Sequence, residues 1–400
     1  MVENLKIGYL VPQFPGQTHI FFWRELKEIE RLGATVQIYS TRLPPVSLIS
    51  HGWSKQAIER TIYIGRPQLG DLISGFLALP YGEIAGAVRQ FGKAFLKDIL
   101  ICAPAAKRLL RDCRVKGITH VHVHSCARAA LIAALAYRMG GPTYSLTLHG
   151  PMSDYGAGQA MKWRAAKFAT IITQKLLSEV HEELGQDAPD NLVVQAMGVD
   201  TEELSRSTPY TPAVATDTIK LFSCGRLNIV KGHQDLMQAV RILIDRGLSI
   251  KLEIAGEDDD GGQGYHLELN ARLQELNLEN HVKLLGAIDS KSVKQKILEA
   301  HIFVLASWHE PLGVAYMEAM SCGVPTIGTD AGGVSELIQD GVNGRLVEPK
   351  KPAALADAIE DIANDRDQAM ALSKSGRERI VTGFRSTLGA QALIHEILKP

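Results

Sequence analysis

Glu310 and Glu318 stand eight residues apart around a glycine turn, a spacing suited to carboxylates that hold the hydroxyls of a polyol. On one continuous helix, eight steps of ~100° would leave the two side chains about 80° out of phase, so they would not aim at the same point. We therefore expect Glu310 on a loop. The pattern predicts a buried strand over 303–306, a turn over 307–314 and a helix over 315–322. A strand, turn and helix start in this order can bind an anion.

These residues belong to one of two short motifs that occur together in one enzyme family. Glu310 and Glu318, continued by residues 319–325, resemble the E-x7-E signature of the retaining, family 4 type glycosyltransferases, which have the GT-B fold. Residues 225–232, which include Arg226 and Lys231, resemble the G-R-L-x-x-x-K-G donor-phosphate motif of the same family. Two signatures in the right order are far more specific than one.

The resemblance implies an enzyme that moves a sugar from a nucleotide diphosphate, which we expect to be UDP, to a glycan or lipid-linked acceptor. The similar members act in exopolysaccharide and lipopolysaccharide biosynthesis. By resemblance, Glu310 accepts hydrogen bonds from donor-sugar hydroxyls and Glu318 from ribose hydroxyls. Arg226 supplies a planar fork and Lys231 a point charge for the diphosphate. Backbone N–H groups of the turn before the helix add to these cations, at Leu312, Gly313 and Val314.

The sequence favours a reaction that needs neither a metal ion nor a cofactor beyond the nucleotide-sugar co-substrate. No Asp-x-Asp motif of the usual kind appears near an apolar strand. The acidic run 257–262 could suggest a metal site, but it follows a predicted strand as a polar loop would, so we reject that interpretation. His120, His122 and His124 alternate on a predicted strand and face one side. A three-histidine metal site is the weaker alternative there, since metal ligands usually come from more than one element.

The N-terminal half supplies the other candidate residues. His149 ends a strand predicted over 143–148, where the resemblance places an active-site histidine. A neutral imidazole there can hydrogen-bond the donor sugar or help the developing charge, so we predict His149 and Glu310 as the catalytic residues. Asp154 and His124 are predicted on the acceptor side.

The loop after the first predicted strand is similar to the family's first βα loop, which approaches the donor. Gly16 is the predicted donor contact and Thr18 a residue of the acceptor side. Exopolysaccharide-type members carry Phe-Pro-x-x-Ser-Glu-Thr-Phe here. This chain keeps Phe and Pro but has His19 and Ile20 in place of Glu and Thr, so acceptor specificity does not carry over.

Composition bounds the class of protein. The 400 residues are 46% hydrophobic and 22% charged, which describes a globular chain, and 43 basic against 44 acidic residues give no field for nucleic acid. Five cysteines without metal-ligand spacing favour reduced thiols in a cytosol. The first residues lead directly into a predicted strand without the apolar core of a signal peptide. We expect a cytoplasmic protein, with a peripheral position at the inner membrane face left open.

Alternating apolar strands and amphipathic helices predict an α/β protein of GT-B type: two Rossmann-like, doubly wound domains facing across a cleft. We expect an N-terminal, acceptor-side domain over 1–205, a linker with two prolines over 206–217 and a nucleotide-sugar-binding domain over 218–384. The resemblance implies that the tail, about 385–400, packs back on the first domain. Ligands in such sheets bind at the carboxyl ends of the strands, so the cleft is the expected active site.

Residues 69–88 form the most apolar long stretch, but charged residues and a proline interrupt it short of the ~20 residues a membrane span needs. We predict two helices that pack on the N-terminal domain. The alternative is an interfacial segment that inserts Phe76, Leu77, Leu79 and Tyr81 into a membrane.

Other functions stay open at this stage. A GT-B isomerase or hydrolase would turn over the donor without an acceptor, and a non-catalytic subunit would bind the sugar nucleotide only. A nicotinamide dehydrogenase is disfavoured, since neither domain begins with Gly-x-Gly-x-x-Gly. For the transferase, no carboxylate is obviously placed as a nucleophile, so the resemblance implies front-face substitution through an oxocarbenium-like transition state.

Overall fold

The computed structural model describes residues 2–16, 19–44, 52–213, 218–258 and 261–400, which form two compact units. The first unit comprises the described residues of Met1–Pro45, Trp53–Ala196 and Gly389–Pro400. The second comprises those of Val46–Gly52 and Met197–Leu388. Each unit is built on a parallel sheet with helices between the strands, so the predicted α/β class is confirmed.

The sheet of the first unit has seven described strands in the order β3-β2-β1-β4-β5-β6-β7, all parallel. The order reverses between β1 and β4, and the carboxyl ends of parallel strands on either side of such a point bind ligands in doubly wound folds. The strands are β1 (Lys6–Gln13), β2 (Thr35–Arg42), β3 (Thr61–Tyr63), β4 (His120–Val123), β5 (Thr143–Leu148), β6 (Ala169–Ile171) and β7 (Leu192–Val194).

Seven of the helices in the first unit connect these strands. They are α1 (Ile20–Arg31), α2 (Ser54–Arg60), α3 (Leu69–Leu77), α4 (Tyr81–Lys116), α5 (Arg128–Arg138), α6 (Gln159–Trp163) and α7 (Gln174–Leu184). The long α4 is broken at Gly92, whose φ of 80° is outside the helical range. Its second half packs on the alanine-rich α5, where small side chains allow close approach within one buried core.

The second unit repeats the plan with six described strands in the order β10-β9-β8-β11-β12-β13. They are β8 (Ile219–Cys224), β9 (Ile250–Ala255), β10 (Val282–Leu284), β11 (Ile302–Val304), β12 (Thr326–Thr329) and β13 (Arg345–Val347). The helices are α8 (His233–Asp245), α9 (Tyr265–Glu275), α10 (Ser290–Glu299), α11 (Val314–Ser321), α12 (Val334–Leu337), α13 (Pro352–Asn364) and α14 (Arg366–Gly383). Here the order reverses between β8 and β11.

Two segments outside the sheets have defined packing. Within the predicted linker, the Tyr210 hydroxyl donates to the His301 carbonyl at 2.8 Å and Arg206 Nε donates to the Cys322 carbonyl at 2.7 Å, so its described part packs on the second unit. The last helix, α15 (Ser386–Leu398), runs into the first unit, where Lys167 Nζ donates to the Ile397 carbonyl at 2.9 Å.

The segment 69–88 forms α3 and the start of α4, as predicted, but only part of its apolar surface is buried. Leu79 is 8% exposed and Phe76 packs against the core, whereas Leu77 is 76% and Tyr81 60% exposed. The two helices thus pack on the core of the first unit as predicted, while one face of α3 stays exposed. Within the described residues, no helix combines the length and apolar character that crossing a bilayer requires.

The five cysteines are all free and buried. Burial raises the pKa of the Cys102 thiol to about 12, so this thiol stays protonated near neutral pH. Reduced thiols, as predicted from their spacing, are what the structure contains.

Candidate active site

Two loops meet at the point where the strand order of the second unit reverses. β8 and β11 are neighbours, with Leu221 beside Ile302 and Phe222 beside Phe303, so the loops that leave their carboxyl ends lie together. Lys231 ends the first loop and Glu310 lies on the second, and Lys231 Nζ donates to Glu310 Oε2. The expected loop position of Glu310 is thus confirmed, and the structure pairs it with the predicted phosphate lysine.

The pairing depends on a close approach of backbones. Gly232 has φ of 68°, and a Cβ at this position would stand 1.8 Å from the Ala306 carbonyl oxygen. Trp308 N donates to the Val230 carbonyl at 2.7 Å, which joins the loops one step further along. A side chain at position 232 would separate the loops, so the glycine fixes where Lys231 meets the second loop.

Glu310 is held from several sides. It is 9% exposed, Ser307 Oγ donates to its Oε2 at 3.3 Å, and its own carbonyl accepts from Gly333 N at 3.1 Å. Gly332 makes room for that carbonyl, since a Cβ there would lie 2.1 Å from it. The carboxylate therefore has a defined position before any ligand binds.

Glu318 lies on α11, which begins at Val314 after Gly313 with φ of 95°. The side chain is half-buried, and its charge acts with burial to raise the pKa of Cys224 at the end of β8. Glu318 therefore also lies close to β8, as its place in the predicted donor site requires. Leu312 is buried in the turn that precedes the helix, while Arg226 is exposed on the loop after β8.

Two further side chains next to this pair were not predicted. Trp308 Nε1 donates to Asp235 Oδ2 at 2.5 Å, and Lys350 Nζ stands 4.1 Å from the centre of the Trp308 ring. The Trp308 ring lies two residues before Glu310. Its contact with Lys350 adds a third cation to the loops that already carry Arg226 and Lys231. In the sequence, the only indication of these contacts was a tryptophan in the loop that follows the fully buried strand β11.

In the acidic loop after β9, the described carboxylates bond other groups of the same loop and the start of α9. The Asp258 carboxylate accepts from the amides of Gly262, Gly264 and His266 at 2.8, 3.0 and 2.8 Å, and Glu257 pairs with His266 Nδ1 at 2.9 Å. These bonds use the carboxylate oxygens that a metal would need. Residues 259 and 260 of the run lie outside the described residues.

In the first unit, His149 follows β5 and is half-buried. Its Nε2 lies 3.3 Å from Nδ1 of His124, and His124 Nε2 lies 3.1 Å from Glu25 Oε2. Tyr9 donates its hydroxyl to the same Glu25 oxygen at 2.7 Å. Sequence reasoning missed Glu25 and Tyr9; the signal for Glu25 was a carboxylate on the apolar face of α1, beside Phe22, Leu26 and Ile29.

The three histidines at and just after β4, His120, His122 and His124, do not converge on one point. His120 contacts the hydroxyls of Thr143 and Ser145, both at 2.8 Å, while His122 contacts those of Ser145 at 2.7 Å and Thr147 at 2.8 Å. Burial lowers the pKa of His120 to about 3, so it is neutral at pH 7. Among the described residues, side chains spaced to hold a metal are instead Glu25, His122 and His124, each already engaged by protein partners.

The remaining candidates of the first unit differ in their exposure. His124 is 3% exposed and lies beneath His149, while Asp154 is exposed on a 3-10 turn over Met152–Tyr155. Gly16 packs against the His19 ring, since a Cβ at Gly16 would lie 2.7 Å from it. Thr18 lies outside the described residues.

Comparison with known proteins adds to this geometry. Residues 211–379 match the family Glycosyl transferases group 1. N-acetyl-alpha-D-glucosaminyl L-malate synthase from Bacillus anthracis is 25% identical over 295 residues, 70% of this chain and 74% of that protein. The putative colanic acid biosynthesis glycosyltransferase WcaL of Salmonella typhimurium is 27% identical over 203 residues, 49% of this chain and 48% of WcaL, so this chain spans about half of that relative.

Solved structures match over nearly the whole chain. HepE from Anabaena, crystallised with UDP, aligns with a TM-score of 0.75 at 18% identity and covers 98% of this chain and 99% of its own. The lipopolysaccharide outer core galactosyltransferase WaaB aligns with a TM-score of 0.64 at 16% identity, covering 98% and 99%. At such identities the likeness concerns the fold.

Proposed function

The chain is a group 1 glycosyl transferase with the GT-B fold, and on that premise we propose that it moves a sugar from UDP to a glycan or lipid-linked acceptor with retention of configuration. The observation that carries the proposal is the Lys231–Glu310 contact at the β8–β11 switch point. It brings a cation suited to phosphate together with a carboxylate suited to sugar hydroxyls. Solved complexes of HepE with UDP and with UDP-glucose support UDP as the donor nucleotide.

Donor binding on this proposal exchanges partners at the pair. A diphosphate carries more charge than one carboxylate, so it competes with Glu310 for the Lys231 ammonium. Glu310, still bonded to Ser307, then accepts from a sugar hydroxyl. Glu318 takes the ribose hydroxyls, and the turn at residues 312–314 offers backbone N–H groups at the start of α11.

We propose that fixed cations stabilise the leaving diphosphate without a metal ion. Negative charge grows on the leaving group as the glycosidic bond breaks, and preorganised positive groups lower that barrier. On this proposal, Arg226 and Lys231 supply those positive groups. In the acidic loop after β9, the Asp258 carboxylate accepts hydrogen bonds from three backbone amides.

The acceptor side is proposed on the first unit, with His149 facing the reacting sugar and Asp154 nearby. Likeness to WcaL supports an acceptor in cell-surface polysaccharide biosynthesis. Retention by front-face substitution through an oxocarbenium-like transition state is proposed from the family pattern.

A peripheral membrane position is part of the proposal, because α3 carries an exposed apolar stripe. On α3, Leu69, Ile73 and Leu77 recur every four residues and are 73, 59 and 76% exposed, and Tyr81 at the start of α4 is 60% exposed. Lys107, Arg111 and Arg114 of α4 line a groove beside α3, where Arg111 pairs with Asp71 at 2.6 Å. An apolar stripe flanked by basic residues is typical of segments that bind anionic lipid surfaces.

The first test is calorimetric titration in EDTA with UDP, UDP-glucose, UDP-galactose, UDP-N-acetylglucosamine and GDP-mannose. We expect one UDP-sugar to bind, with affinity lost in an Arg226→Ala/Lys231→Ala variant and kept in Lys251→Ala, a lysine at the opposite end of the sheet. Binding that requires Mg²⁺ would contradict the metal-free site. Donor consumption without an acceptor would support the isomerase or hydrolase instead, and the anomeric coupling of the product would test retention.

A further inference from the structure

Helix α11 carries Glu318 and begins at the turn of the proposed donor site, so its placement decides where these groups lie. The last backbone carbonyls of a helix have no partner within the helix. Here the chain turns at Gly323, whose φ is 64°, and backbone N–H groups donate to the carbonyls of residues 318–320 at 2.9–3.1 Å. The carbonyls of Ser321 and Cys322 take no part in these bonds and require other donors.

Two arginines from other segments of the second unit supply those donors. Arg377 on α14 donates from Nη1 to the Ser321 carbonyl, and Arg206 donates from Nε to the Cys322 carbonyl at 2.7 Å. Helix α11 has no basic residue of its own in its last turn. The two guanidinium groups therefore place positive charge at the negative end of the helix dipole, where it is stabilising.

Arg377 also binds the segment that precedes the second sheet. Its Nη1 donates to the Leu204 carbonyl at 3.3 Å and its Nη2 to the Thr201 carbonyl at 3.4 Å. The same Leu204 carbonyl accepts from Ser321 Oγ at 2.8 Å. Because a guanidinium is a rigid planar fork, one side chain joins the end of α11 to α14 and to residues 201–204.

The opposite end of α11 is arranged differently. The helix begins after Gly313, which has no side chain to cap the first N–H groups, and its first turn contains no acidic residue. The positive end is therefore open to an anion, as the proposed donor site requires. The helix has eight residues and is only ~12 Å long, so an anchor at one end also fixes the other.

We propose that Arg377, together with Arg206, is a positioning residue of the donor site. The two arginines hold α11 by its last carbonyls, so that Glu318 and the N–H groups of the first turn meet the nucleotide. They act through the helix and not on the nucleotide itself. This inference deepens the proposed function and rests on it: UDP affinity depends on residues at the end of α11 that faces away from the donor turn.

Three variants separate this role from a general effect on stability. Arg377→Met keeps an apolar stem and removes the guanidinium. Arg379→Met is the matched control, because Arg379 lies two residues further along α14 and donates to the carbonyls of Glu336 and Leu337, at the end of α12, at 2.7 and 3.4 Å. Arg206→Met removes the bond to Cys322 and keeps the proposal testable if Arg377→Met does not fold.

The first measurement is hydrogen–deuterium exchange of the full chain without ligand, followed by mass spectrometry of peptides that cover residues 314–322 and 334–338. We expect exchange in α11 to be faster on the order of tenfold in Arg377→Met, since the helix end loses charge-assisted hydrogen bonds. Exchange in α11 should also rise in Arg206→Met and stay at the wild-type rate in Arg379→Met. Unchanged exchange in α11 in both test variants, or an equal rise in the control, overturns the proposal.

The second measurement is titration of the same proteins with UDP in EDTA. The dissociation constant should rise roughly two- to fivefold in Arg377→Met and Arg206→Met and match the wild type in Arg379→Met. Faster exchange in α11 with unchanged affinity overturns the positioning role. If the wild type binds no UDP, faster exchange in α11 still supports its anchoring by Arg377, and the failure belongs to the proposed function.

Discussion

Lys231 Nζ contacts Glu310 Oε2 across 79 positions of sequence, and both side chains are mostly buried. The contact joins the two sequence motifs, one on each loop of the β8–β11 switch point. Because the lysine ammonium has three N–H donors and no acceptor, a bound phosphate competes with Glu310 for its protons. The first prediction follows from this arrangement.

Replacing Lys231 by Met should weaken UDP binding by roughly 10- to 100-fold, because a charge-assisted hydrogen bond contributes ~1.5–3 kcal/mol. Titration calorimetry in EDTA measures the change. Lys251→Met is the matched control, since Lys251 bonds the Asn280 carbonyl on the far side of the same unit. Equal affinities for the Lys231 variant and the wild type would remove Lys231 from the donor site.

Gly232→Ala should destabilise the second unit by ~3 kcal/mol or more. The residue has φ of 68°, and its new Cβ would stand 1.8 Å from the Ala306 carbonyl oxygen. Gly247→Ala is the control, since Gly247 has φ of 90° but a Cβ added there would meet nothing within 4 Å, so it carries backbone strain alone, ~1 kcal/mol. Thermal unfolding measures both, at ~2–4 °C per kcal/mol. Similar melting temperatures for the two variants would contradict the close approach.

The local parts of this site were predictable from sequence. Parallel strands buried on both faces appear as apolar runs, and the motifs at Glu310 and Arg226 lie within a few residues of such runs. The edge strands β3 and β13 were not predicted: both are only partly buried, so they lack the long apolar run of a strand covered on both faces. The bonded pair at Lys231 and Glu310 required the strand order, which no local pattern contains.

Side-chain direction was harder to predict than element type. On α3, Phe76 packs inward while its neighbour Leu77 is 76% exposed, and an apolar residue at both positions hides which face is buried. The contact of Glu25 with His124 depends on how α1 crosses the sheet. A carboxylate within an amphipathic helix shows that something polar is nearby but not which residue it is.

Stability should fall in acid through the buried imidazole of His233. Burial, with the charge of Lys231, lowers its pKa to about 3, below the ~6.5 of an unfolded chain. Between these values the unfolded state binds the additional proton, so the free energy of unfolding is highest above pH 6.5 and falls toward pH 3, by up to ~1.4 kcal/mol per pH unit. His233→Met should reduce this slope between pH 6.5 and 5 in urea titrations.

The stability of His233→Met at pH 7.5 and a control variant, His395→Gln, show whether the acid sensitivity belongs to His233. Neither ring nitrogen of His233 is hydrogen-bonded among the described residues, so Met should cost little stability at pH 7.5. His395→Gln, at an exposed position on α15, should keep the wild-type slope. An unchanged slope in the Met variant would assign the acid sensitivity to other buried histidines.

Binding to anionic membranes should depend on the exposed stripe of α3. In Ile73→Glu/Leu77→Glu, two side chains that are 59 and 76% exposed gain charge, so folding should be unaffected while insertion between lipids becomes costly. Val342→Glu/Met370→Glu changes two exposed apolar residues of the second unit, 51 and 41% exposed, and is the control for added charge. Sedimentation with vesicles of phosphatidylglycerol and phosphatidylethanolamine should retain the wild type and the control and release the α3 variant. If the wild type stays in the supernatant, the protein does not bind these lipids and the prediction is wrong. If both variants are released alike, added charge and not the α3 stripe determines the loss of binding.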